Sequence, residues 1–196
     1  MSKLLSYRPD IDGLRAISVI FVILFHADLL WIQGGFIGVD IFFVISGYLI
    51  TRSIDKEMLG NVFSFKAFYL RRIRRIIPVL VFVMLVITIP ACLFLFANDL
   101  ETFGRTALHT ILSTNNFYLW IKGSNYFVGN TELMPLLHTW SLSVEEQFYI
   151  IFPLVLLFAF KYLKKYFASA LILGFLLSLI VADFGSKNYP SSTFYF

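Results

Sequence analysis

Apolar positions in this chain come in long blocks, with no short alternating period, and the blocks are long enough to be membrane helices. Two apolar runs, residues 14–31 and 36–54, meet at a short turn containing Gly34 and Gly35, and each approaches the ~20 residues that a helix needs to cross a bilayer. A third run, Ile76 to Phe96, holds 21 consecutive residues without a charge. Two more follow at about 142–160 and 167–183. The pattern predicts an all-α chain: a polytopic transmembrane helical bundle with five or six membrane segments. The uncertain sixth is Leu108 to Ile121, which is apolar but interrupted by His109, Thr114, Asn115 and Asn116. At about 14 residues it is short for a span. The simplest reading makes residues 98–140 external or re-entrant, because irregular backbone at membrane depth survives only against protein or a water cavity.

Charge gives these segments a direction. Between the second and third runs lie Arg52, Lys56, Lys66 and the string RRIRR, with Arg71, Arg72, Arg74 and Arg75. Loops rich in Lys and Arg stay in the cytoplasm. That puts the connector there, together with Lys3 and Arg8 at the N-terminus and Lys161, Lys164 and Lys165 after the fourth long run. The expected location is the inner (cytoplasmic) membrane, multi-pass, with the N-terminus cytoplasmic. No small-x-small cleavage pattern follows the first run, so it reads as a retained helix and not a signal peptide.

Composition agrees with a membrane protein: 59% of residues are hydrophobic and only 14% charged, which excludes an ordinary soluble domain. The 23 phenylalanines and 10 tyrosines suit lipid-facing surface and interfacial belts. A single cysteine, Cys92, excludes an intramolecular disulfide, and the three histidines lack metal-ligand spacing. No nucleic-acid signature or internal repeat is present.

The chemistry stands out against this apolar ground. Arg15, His26, Asp28 and Asp40 lie in or beside the first two runs, where an ionisable side chain is costly and marks function by default. Ten residues separate Arg15 from His26, so on a helix they return to within about 20° of one face, roughly 16 Å apart. A turn near Gln33 would set His26 and Asp40 at similar depth, where the carboxylate could orient the imidazole as a general base requires. Ser46 and Gly47 read as small residues that let helices approach closely.

The strings YRPDIDGLRA and GGFIGVDIFFVISGYLIT, the Arg-x10-His spacing, and HTWSLSVEEQFYIIFPLVLL from His138 to Leu157 closely resemble the acyltransferase-3 family. Those are multi-pass membrane proteins that O-acylate, most often O-acetylate, surface glycans such as lipopolysaccharide O-antigen and peptidoglycan. The resemblance implies about ten helices of ~20 residues each. Residues 1–196 then read as the N-terminal part of one membrane acyltransferase domain, an incomplete half of such a bundle, with no soluble domain.

By that resemblance His26 is the base or acyl relay, Arg15 its partner near the donor, and Glu145 a further catalytic group, while Asp40 joins the catalytic set on the turn placement alone. Arg71, Arg72 and Arg75 would bind the phosphates of coenzyme A, and Trp140, Ser141 and Tyr149 the acceptor sugar. Acetyl-CoA is the implied co-substrate, no cofactor is held permanently, and the partners are membrane lipid and a surface polysaccharide or lipid-linked glycan. Simpler readings stand beside these. Arg15 can snorkel to headgroups, the arginine cluster can serve topology alone, and Ser141 or Ser143 can cap a helix whose first turn holds Glu145 and Glu146. Two rival functions also remain: a proton-coupled transporter using a His-Asp-Arg relay, and an inactive truncated fragment.

Overall fold

A computed structural model describes residues 8–27, 34–122, 134–162 and 166–195. Among these the chain is all-helical, with α1 (Pro9–His26), α2 (Ile37–Leu59), α3 (Phe65–Phe94), α4 (Ala97–Ile111), α5 (Asn115–Ile121), α6 (Thr139–Tyr162), α7 (Phe167–Asn188) and α8 (Pro190–Tyr195). Four stretches are long and apolar enough to cross a membrane: Ile37–Leu59, Phe65–Phe94, Thr139–Tyr162 and Leu171–Asn188. They are the second, third, fourth and fifth long runs of the sequence. The first run appears as the 18-residue α1, and Asp28 and the expected turn at Gln33 lie outside the described residues. The fold is a partial polytopic helical bundle that divides into two compact units, Met1–Phe63 and Ser64–Phe196.

The first unit is the α1–α2 hairpin. Its tightest contacts are made by glycine: a Cβ on Gly35 would stand 2.4 Å from the Phe21 carbonyl oxygen, and one on Gly38 would stand 2.3 Å from that of Ser18. Only hydrogen fits, so the backbones touch as they do at small-residue contacts between membrane helices. Ser46 is buried in α2 as expected, while the pair that sets the crossing is Gly35 and Gly38.

The second unit begins with α3, which is longer than the apolar run suggests. Its 30 residues reach about 45 Å, beyond the ~30 Å hydrocarbon core. The extra length is at the N-terminus, where the Ser64 hydroxyl accepts a hydrogen bond from the Ala67 N–H at 3.5 Å. The RRIRR string is therefore helical, and the connector shrinks to residues 60–64. Pro78 lies in mid-helix, where it cannot donate to the Arg74 carbonyl. Pro90 lies near the C-terminal end of α3.

The 108–121 stretch is no single span. α4 ends at Ile111, Ser113 takes a left-handed φ of 55°, and α5 starts at Asn115. Ala91 of α3, Phe103 of α4 and Leu136 pack as one buried cluster. α6 starts at Thr139, about three residues earlier than expected, and holds Pro153 in its interior.

Candidate functional site

In the first unit Arg15 and His26 lie on the uninterrupted α1, so the shared face and the ~16 Å offset follow from helix geometry. Arg15 is half-buried, with its guanidinium 5.2 Å from the centre of the Phe42 ring on α2, a cation–π contact. His26 closes the last turn of α1, where its Nδ1 is 2.7 Å from the Val22 carbonyl oxygen. A carbonyl only accepts, so Nδ1 is the donor in this contact.

The hairpin register does not bring Asp40 to His26. Gly38 meets Ser18 and Val22, and Phe42 meets Arg15, so Asp40 is level with a point on α1 about 12 Å from His26. It is also two residues from both Gly38 and Phe42, which turns it about 200° away from the α1-facing side of α2. Asp40 is exposed. The expectation of equal depth assumed a symmetric turn; the glycine contacts set a different register.

In the second unit the arginine cluster divides. Arg71, Arg74 and Arg75 are exposed, whereas Arg72 is half-buried and turned toward α6. Its guanidinium lies 5.5 Å from the centre of the Phe68 ring and 5.2 Å from that of Tyr149. The Tyr149 hydroxyl donates to Glu145. From α3, Tyr69 donates to the Ile150 carbonyl at 3.1 Å, one turn before Pro153 interrupts the α6 ladder. Tyr69, Arg72, Ile73, Ile76, Ile77, Glu146, Tyr149 and Ile150 line an open pocket of about 220 Å³. A cation from one motif and two carboxylates from another thus converge across 70 residues or more of sequence.

A polar network fixes the other side of α6. Ser113 donates its hydroxyl to Glu146, and Gln147 donates to the Ser113 carbonyl at 2.7 Å and to the Asn116 amide oxygen at 2.9 Å. Asn115 donates to the Thr139 hydroxyl at 2.8 Å and to the Leu136 carbonyl at 3.3 Å, and its backbone N–H reaches Ser143 at 3.2 Å. Asn115 and Asn116 are fully buried. The side chains of α6 thereby partner the backbone that the α4–α5 break releases. Sequence reading noted these asparagines only as breaks. Glu146, passed over in favour of Glu145, joins the pocket to the network. The signal was available in a Thr-Asn-Asn run within an apolar stretch.

The remaining expected residues have internal partners. Trp140 is buried edge-on to Tyr195 of α8, with ring centres 5.9 Å apart, and Ser141 donates to the His138 carbonyl at 3.1 Å. Because α6 begins at Thr139, its first turn contains no acid, and helix-dipole pairing does not account for Glu145 and Glu146. Ser143 serves as a contact for Asn115 and does not cap the helix.

Outside the membrane runs, Arg8 and Asp10 form an ion pair of 2.5 Å that draws the Asp10 carboxyl down to about 2 and raises the Arg8 guanidinium. The principal cause in both is the side-chain hydrogen bond between them.

Comparison with known proteins agrees with the motifs. A family described as "Acyltransferase domain" matches residues 8–196. The chain is 42% identical over 160 residues to the peptidoglycan O-acetyltransferase OatA of Listeria monocytogenes, covering 81% of this chain and 26% of that protein. It is 39% identical over 153 residues to the O-acetyltransferase OatA of Staphylococcus aureus, covering 78% and 25%. The chain spans about a quarter of the length of these curated relatives. No solved structure matches it.

Proposed function

Since the chain belongs to the acyltransferase-3 family, we propose that it forms part of a membrane O-acetyltransferase that moves an acetyl group from cytoplasmic acetyl-CoA to a hydroxyl of a cell-surface glycan. The Listeria relative is named for peptidoglycan, and a glycan of that kind is the acceptor we assign. The protein sits in the cytoplasmic membrane with its N-terminus and the RRIRR end of α3 on the cytoplasmic side, where the donor is available.

The observation that carries the reading is the contact of His26 Nδ1 with the Val22 carbonyl oxygen, on the helix that also carries Arg15. With Nδ1 directed at Val22, Nε2 is the nitrogen we assign to take the proton of an attacking hydroxyl. The hydroxyl oxygen then bonds to the acetyl carbonyl carbon, the carbon–sulfur bond breaks, and coenzyme A leaves as the thiol after gaining a proton. Arg15 lies on the same face of α1 as His26, and the positive charge for the donor's phosphates is assigned to the exposed Arg71, Arg74 and Arg75 of α3. Glu145 and Tyr149 lie on α6 as the acceptor-side pair.

A proton relay through His26 and Asp40 would need those groups within reach of each other, and the hairpin register does not favour it. The test is to compare base-labile O-acetyl groups on surface glycan from cells producing the whole protein with those from cells lacking it. Acetylation that depends on the protein supports the assignment; identical glycan in both contradicts it.

A further inference from the structure

We infer that Arg72 is a positioning residue, holding Tyr149 and through it the Glu145 carboxylate, and is not a ligand of the donor's phosphates. The inference rests on the acyltransferase reading and assigns Arg72 a role apart from its three neighbours in RRIRR.

The separation follows from helix geometry. On α3 Arg71, Arg74 and Arg75 fall within about 100° of arc, while Arg72 lies outside that arc and points at α6. Its guanidinium lies against two rings that are themselves buried, Phe68 at 1% and Tyr149 at 8% exposure. A planar cation held on aromatic faces is fixed in orientation, and it fixes them in turn. Tyr149 then spends its hydroxyl on Glu145, one helical turn earlier. The chain of contacts runs Phe68, Arg72, Tyr149, Glu145, and it ends on a carboxylate.

The surroundings of Arg72 are wrong for a phosphate. Four isoleucines, Ile73, Ile76, Ile77 and Ile150, make up half the residues around the pocket, and Glu146 adds a carboxylate that would repel a phosphate dianion. Phosphates are better served by Arg71, Arg74 and Arg75, the exposed arginines within that arc. A phosphate ligand tolerates lysine as a point charge, whereas a guanidinium packed on rings does not.

The experiment uses the whole protein in detergent with acetyl-CoA as donor, comparing wild type with Arg72→Lys, Arg72→Ala, Tyr149→Phe and the Arg72→Lys/Tyr149→Phe double variant. The expected result is a fall in kcat of about tenfold for Arg72→Lys and for Tyr149→Phe, KM for acetyl-CoA within about twofold, and a double variant no worse than the poorer single one. An increase of about tenfold in KM for Arg72→Ala that Arg72→Lys restores would overturn the proposal and return Arg72 to the donor. A thermal-unfolding cycle on wild type, Arg72→Lys, Tyr149→Phe and the double variant needs no activity. Coupled Tm shifts for Arg72→Lys and Tyr149→Phe are expected, and strictly additive shifts would also overturn it. Absence of transfer in the wild type would count against the acyltransferase reading and leave the unfolding cycle to decide on Arg72.

Discussion

Gly38 and Ser18 are in backbone contact: a Cβ placed on Gly38 would stand 2.3 Å from the Ser18 carbonyl oxygen. That contact fixes how α2 lies on α1, and with it the height of Arg15 against Phe42. Gly38→Ala must push the helices apart and should lower stability by about 2 kcal/mol. Gly34→Ala is the control, since its nearest neighbour would be the flexible end of Ile37 at 3.8 Å. Thermal unfolding of the detergent-solubilised protein should separate the two; equal shifts would refute the packing argument.

His26 and Asp40 are predicted to act independently. The acidic limb of the kcat/KM profile against pH reports the base, so Asp40→Asn should leave its midpoint in place even if it lowers the rate. A displaced midpoint in that variant would mean that the two groups meet.

Gln147 is expected to be the most sensitive member of the polar network. Gln147→Leu removes donors to the Ser113 carbonyl and the Asn116 amide oxygen at once, leaving both acceptors without that partner. A loss of roughly 2–4 kcal/mol is expected. A Tm within a degree or so of wild type would show that the α4–α5 break is held by other contacts.

The Arg8–Asp10 pair gives a pH dependence whose sign is fixed. The Asp10 carboxyl is depressed from 3.8 to about 2. Its contribution is therefore present above pH 3.8 and is lost as the pH falls through about 2. The side-chain carboxyl signal of Asp10 in an NMR titration should have its midpoint near the lower value, and Arg8→Gln should return it to the ordinary one.

Much of the fold was legible because bilayer helices need length and apolarity, and both are plain along the chain. α2, α3, α6 and α7 follow from apolar runs alone. The boundaries were less so: Arg71 to Arg75 looked like a connector because they are charged, yet arginine is a good helix former and Ser64 starts α3 well before the apolar core. At the site, spacing within one helix sufficed for Arg15 and His26. It could not place Asp40, because helix rotation and register are set by the Gly35 and Gly38 contacts, which the sequence suggested only as a turn. Nor could it bring Arg72 to Tyr149, since two helices 70 residues apart share no spacing rule.

The central claim is that α1 carries the chemistry of acetyl transfer. The most direct measurement is transfer of label from radiolabelled acetyl-CoA into surface glycan, using membranes that contain the whole protein, its His26→Ala variant or its Arg15→Ala variant at equal levels. Label should appear with wild type and fall at least about 100-fold with His26→Ala, with Arg15→Ala also strongly reduced. Label that persists undiminished in both variants would contradict the account and remove His26 from the mechanism.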